Sequence, residues 1–178
     1  MLTQPYVVLD FETTGLKAHD RVIEIAALRV DGPRVTQFQT LCHPGMALPP
    51  YITELTGITD ADLEGAPPTT EAIRRLMGEI LYDQPLLIAH NATFDHRFLD
   101  QELALAGLPP YGGAHFCTMR WARRLFPKLP SHGLEKLVRY LQIPIDQHHR
   151  ALADVQATHY LLGLLAREAQ ATGVNLTA

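Results

Sequence analysis

Asp10 and Glu12 stand two residues apart at the end of an apolar run, Val7-Val8-Leu9-Asp10-Phe11-Glu12-Thr13-Thr14-Gly15. Side chains alternate across a strand, so these two carboxylates share one face. Two like charges that close repel each other, and a fold keeps them with a compensating cation or a shared proton. A divalent ion such as Mg²⁺ or Mn²⁺ satisfies the pair, because hard cations prefer carboxylate oxygen. Two more carboxylates fall where helices are expected to begin. Asp95 lies in His90-Asn91-Ala92-Thr93-Phe94-Asp95, and Asp154 in His149-Arg150-Ala151-Leu152-Ala153-Asp154. A first helical turn favours an anion through the macrodipole, which is the ordinary reading of each aspartate alone. Together with His149, the carboxylates suit a pair of divalent ions about 3.5–4 Å apart, which clamp the attacking and leaving oxygens of a phosphoryl displacement. A histidine that titrates near neutral pH is then the natural base for the attacking water. His148 competes for that role, and the spacing to Asp154 selects His149.

The elements that must position these residues follow from periodicity. Strands are expected over 6–11, 22–30 and 35–41, with Asp31-Gly32-Pro33-Arg34 turning a hairpin between the last two. The Pro- and Gly-punctuated stretch 44–66 admits one short helix, near 50–55. Thr69 or Thr70 would cap a helix through Leu81, with Ile73, Leu76, Met77 and Ile80 as its apolar stripe. A buried strand over 85–89 leads to Asn91 as the N-cap of a helix that runs to about Ala106 and closes at Gly107. A brief strand at 114–117 and helices at 119–125, 134–141 and 152–171 complete the chain. Leu161, Leu162, Leu164 and Leu165 read as core packing. The pattern predicts an α/β protein with a central mixed sheet flanked by helices. Three antiparallel strands come first and parallel additions follow, in one domain spanning 1–178.

Composition narrows the function classes. No apolar stretch approaches the ~18 residues of a membrane-spanning helix. The start, Met1-Leu2-Thr3-Gln4-Pro5, lacks the basic-then-apolar order of a secretory signal, so a cytoplasmic location and no membrane partner are expected. Cys42 and Cys117 are too few for a disulfide framework and read as reduced, buried thiols. The formal net charge of −4 argues against passive wrapping of long duplexes. It does not exclude a phosphate substrate, since Asp10, Glu12, Asp95 and Asp154 account for that charge and two divalent cations would cancel it. Arg120, Arg123 and Arg124, with Lys128 and Lys136 beyond, form a basic cluster whose favoured reading is a solvated helix face, ahead of a groove for a single strand.

The three segments Asp10-x-Glu12-Thr13-Thr14-Gly15, Ala89-His90-Asn91-Ala92-Thr93-Phe94-Asp95 and His149-x4-Asp154 resemble the exonuclease motifs of the DnaQ-like, His-containing DEDD 3′–5′ exonucleases. The resemblance runs from Tyr6 to about Leu165, and the family fold is ribonuclease-H-like. It implies that Asp10, Glu12 and Asp154 ligate a first Mg²⁺ or Mn²⁺ ion and Asp10 a second, with Asp95 supporting the second partly through water. His149 would be the general base. Thr13, Thr14 and Gly15 would touch the terminal nucleotide, as would Asn91 and Phe94. In Leu55-Thr56-Gly57-Ile58-Thr59, Leu55 and Ile58 would lie against the terminal base, and Thr56 stands where many relatives carry His. His90 reads first as a structural histidine, with a phosphate contact as the alternative, and His132 matches a family position that precedes a helix. The implied function is metal-dependent removal of nucleoside 5′-monophosphates from the 3′ end of single-stranded DNA, with RNA as second choice. The rivals are a polymerase proofreading subunit resembling the epsilon subunit of DNA polymerase III, an oligoribonuclease or RNA-trimming enzyme, and a non-catalytic nucleic-acid-binding module. The presence of all five active-site residues weighs against the last.

Overall fold

A computed structural model describes residues 4–145 and 149–174 of the chain. The first apolar run forms β1 (Tyr6–Thr13), the middle strand of a five-stranded sheet. Its neighbours are β2 (Val22–Asp31) and β3 (Arg34–Leu41) on one side, β4 (Leu86–Ala89) and β5 (His115–Cys117) on the other, in the order β3-β2-β1-β4-β5. The first three strands are antiparallel, whereas β1/β4 and β4/β5 are parallel. The mixed sheet expected from the sequence is therefore present. Its antiparallel half is made by a tight link in which Asp31 pairs with Arg34, and Gly32 supplies the positive φ of +57° that a side chain would resist. A parallel return needs a longer crossover, which the helices provide.

The helices are α1 (Pro50–Thr56), α2 (Asp60–Leu63), α3 (Thr69–Glu79), α4 (Ala92–Leu105), α5 (Thr118–Leu125), α6 (Leu134–Leu141) and α7 (Ala151–Thr172). Strand alternation divides the burial. Val7, Leu9 and Phe11 of β1 pack with Ile73 and Leu76 of α3 and with Phe98 and Leu99 of α4. Val8 points the other way, toward Ala151, Val155 and Leu162 of α7. Asp10 and Glu12 have the parity of Val8, so the acidic pair faces α7. Helices α5 and α6 pack outside α7 through Ala122, Leu137, Leu161 and Leu165, and α1 and α2 close one end of the sheet through Ile52, Ile58 and Leu63. Parallel β1 and β4 end at the same edge, and this brings the loop before α4 to the acidic end of β1.

Four local expectations are corrected. A second short helix, α2, follows α1, because Thr59 and Asp62 form a reciprocal capping box. Thr69 is the first residue of α3, not its cap; its hydroxyl donates to Val22 O at 3.0 Å and ties the helix to β2. Asn91 occupies the N-cap position of α4 in the left-handed region, φ 75°, and makes no side-chain cap. Cys42 is buried, while Cys117 is only half-buried; both are free thiols. His148 lies outside the described residues.

Candidate active site

The end of β1 is held open for Asp10 and Glu12 by a built loop. The pairing with β2 shifts register between Glu12 and Thr13, and such irregularities re-aim side chains. Thr13 donates its hydroxyl to Gly15 O at 2.7 Å, and Thr14 donates to Asp20 Oδ1 at 3.1 Å while accepting from Arg21 N at 3.0 Å. Both threonines are buried, and their side chains shape the turn. Gly15 is required by space: a Cβ there would stand 2.5 Å from Asp20 Oδ2 and 2.9 Å from the Tyr51 hydroxyl. Tyr51 in turn donates to Thr14 O at 3.2 Å, which links α1 to the turn.

The first and third sequence segments converge, and Asp95 of the second lies near enough for its charge to act on Asp10. One donor atom from each of Glu12, His149 and Asp154 lies within 4.8 Å of the other two. The His149 amide donates to Asp154 Oδ2 at 3.1 Å. Burial and neighbouring charge act together on the acids. The Asp10 carboxyl is raised well above the usual range, first by burial and then by the charges of Asp95, Glu12, Asp154 and Glu24. Glu12 is pushed up to about 8 by burial, then by Asp154, Glu24 and Asp95, with Arg150 pulling it down. Asp95, 2% exposed, is pushed up to about 8 by burial, against the backbone amides of Asp95 and Phe11. A site that holds its acids this far from their ordinary values has more negative charge than its own cations offset. Hard carboxylate oxygens beside one imidazole are the donor set that Mg²⁺ or Mn²⁺ accepts, so the residues fit the ions that the motifs imply.

The remaining sequence candidates separate. Leu55 is 50% exposed on α1, one turn beyond Tyr51. Ile58 is 2% exposed, packed with Ile23, Leu48 and Ile52, and this corrects the expectation that it meets a base. Thr56 is buried and donates to Ile52 O at 2.9 Å. Asn91 is exposed, and Phe94 is half-buried beside Phe98 at 4.8 Å between ring centroids. His90 commits both ring nitrogens inside the fold, to the Thr118 hydroxyl and His132 O at 2.9 Å each. Burial lowers it to about 4, so it is neutral and structural, and the phosphate contact gives way to that role. His132 Nε2 pairs with Phe126 O, which makes it the second link of the same support.

Glu24 was absent from the sequence expectations. It is 0% exposed, pairs in register with Glu12, and accepts from Arg150 and the Ala151 amide. The available signal was a lone carboxylate inside the apolar run Val22-Ile23-Glu24-Ile25, which strand alternation places on the Asp10–Glu12 face. Glu102, also fully buried, holds Arg21 Nε at 2.8 Å and Val22 N at 3.2 Å, and so joins α4 to the start of β2.

Residues 7–162 match the RNase T family, described as exonuclease. The chain belongs to that exonuclease family. Membership among the DnaQ-like DEDD 3′–5′ exonucleases, read from the three motifs, is borne out, and with it a hydrolytic nuclease. A curated relative named "DNA polymerase III PolC-type" from Bacillus cereus is 41% identical over 161 residues, covering 89% of this chain and 11% of that protein. The relative of that name from Lactococcus lactis is 36% identical over 180 residues, with 100% and 11% covered. This exonuclease chain thus spans about a ninth of the length of the curated relatives it matches. Among solved structures, exonuclease X in complex with 5′ overhanging duplex DNA superposes with a TM-score of 0.72 at 27% identity, covering 96% of this chain and 94% of that one. The zinc-bound form of the E. coli exonuclease I–single-stranded DNA complex gives a TM-score of 0.83 at 22% identity, covering 95% of this chain and 42% of that one, and shares the fold. Among the described residues no helix is long and apolar enough to cross a membrane.

Proposed function

We propose that this exonuclease removes nucleoside 5′-monophosphates from the 3′ end of single-stranded DNA, with Asp10, Glu12, Asp95 and Asp154 as metal-holding carboxylates and His149 as general base. The observation that carries the reading is the convergence of Glu12, His149 and Asp154 beside a half-buried Asp10 and a buried Asp95. Bound Mg²⁺ or Mn²⁺ would neutralise the acids and supply Lewis-acid stabilisation at the scissile phosphate. The carboxylates hold that charge at the edge of the sheet where β1 and β4 end. His149 accepts the proton of the attacking water at a ring nitrogen. The tied turn from Thr13 to Gly15 directly follows the acidic pair, where the terminal nucleotide would lie, and exposed Leu55 offers an apolar surface to its base. Asn91 and Phe94, at the start of α4, would supply further contacts to that nucleotide.

A second reading, a proofreading activity that works with a polymerase, is favoured by the relatives named PolC-type. Substrate geometry tests the main proposal. A linear single strand with a free 3′ hydroxyl is expected to be shortened in the presence of Mn²⁺ to 5′-monophosphates, while a closed circular strand persists. Cleavage of the circle, or release of 3′-monophosphates, would overturn it. Competition between deoxyribo- and ribo-oligonucleotides then ranks DNA against RNA.

A further inference from the structure

Arg150 separates the proposed base, His149, from the first residue of α7, and its guanidinium is hydrogen-bonded to a carboxylate outside the motifs. It forks onto Glu24 of β2, with Nε to Oε2 at 3.2 Å and NH2 to Oε1 at 3.0 Å. The Ala151 amide adds a bond to Oε2 at 3.1 Å, and Gln39 Nε2 adds one to Oε1 at 3.0 Å. An ionised carboxylate offers about four lone-pair sites, so Glu24 is saturated. It is fully buried and has no lone pair left for a metal, although it sits in register with Glu12. Its charge is matched by Arg150, whose side chain is 35% exposed.

The backbone beside this pair is unusual. His149 has φ 57°, in the left-handed region that a residue with a Cβ adopts at some energetic cost. Such a conformation persists where its surroundings fix it. The fixing contacts lie on both sides: the His149 amide is bound to Asp154 Oδ2, and the next two residues are bound to Glu24. The Asp154 amide closes the turn on Arg150 O at 3.1 Å.

We propose that Glu24 and Arg150 are positioning residues: the β2 carboxylate clamps the first residues of α7 and thereby sets His149 and Asp154 against Glu12. The inference rests on the proposed role of His149, and its test has one arm that does not use activity. In metal-free protein, amide exchange at His149 and Ala151 is expected to be faster in Glu24→Gln than in wild type by roughly tenfold or more, with strand amides unchanged. In the second arm, Glu24→Gln lowers kcat on a labelled oligonucleotide by about 10–100-fold and leaves KM nearly unchanged. Arg150→Met is expected to lower kcat similarly, and Arg150→Lys, which retains a charged donor, to lower it less. The double variant Glu24→Gln/Arg150→Met removes charge from both partners, so its Tm returns toward wild type while its kcat stays low. Unchanged exchange at His149 in Glu24→Gln overturns the clamp. Recovery of kcat together with Tm in the double variant overturns the positioning role and leaves a structural ion pair. Faster exchange with a wild type that degrades no substrate would leave the clamp standing and remove the proposed function beneath it.

Discussion

The carboxyls of Glu12 and Asp95 are pushed up to about 8, and that of Asp10 is raised as well, because burial and mutual repulsion disfavour their charged forms. Such a cluster stores a penalty that a divalent cation relieves. Asp10→Asn removes one charge from its centre, so the metal-free variant should melt at a higher temperature than wild type while losing metal-dependent hydrolysis. A metal-free Tm that falls in Asp10→Asn would mean the acids are already satisfied without a cation. His149→Ala is expected to lower kcat by about 10²–10⁴-fold with Mn²⁺ affinity, measured by calorimetry, largely retained. A collapse of that affinity would make His149 a ligand in place of a base. The acids were legible because their spacing encodes a shared face and two helix starts. Glu24 was not, since its meaning depends on a partner 126 residues away. Ile58 misled because an apolar residue beside a site reads the same whether it faces substrate or core.

Element boundaries show the same division. Period-two burial in β1 and period-3.6 burial in α3 are written directly in residue type, so both were legible. α2 was not, because four residues in a Pro- and Gly-rich stretch carry no periodicity, and the box between Thr59 and Asp62 is its whole local signal. The turn after β1 depends on close packing that no propensity reveals. Gly15→Ala places a methyl against Asp20 and Tyr51, and relief requires the loop to move. A destabilisation of about 1–3 kcal/mol is expected from urea unfolding, together with a raised KM for oligonucleotide. Wild-type values for both would show that the Asp20 contact is soft and that the turn does not shape the substrate site.

For the whole molecule, the raised acids couple stability to pH. A carboxyl whose folded pKa lies near 8 holds its proton more tightly folded than unfolded. Its favourable contribution is complete below the ordinary carboxylate range and is lost as pH rises toward 8. His90 acts in the opposite sense: burial lowers it to about 4, so stability is lost as pH falls below the ordinary histidine value of about 6.5. The clean window is therefore pH 6.5 to 8, where the Tm of EDTA-treated protein should fall as pH rises. Saturating Mn²⁺ should raise Tm more at pH 8 than at pH 6.5; a metal-free Tm that climbs through this window would contradict the charge assignment. The fold and family were legible from three motifs in order, whereas polarity and sugar preference are properties of a bound strand. The most direct test is therefore digestion of a 5′-labelled single-stranded oligonucleotide with Mn²⁺ by wild type and Asp10→Ala side by side. A descending ladder from wild type and intact substrate with Asp10→Ala is the predicted result; intact substrate with wild type, or a ladder that survives Asp10→Ala, would contradict it.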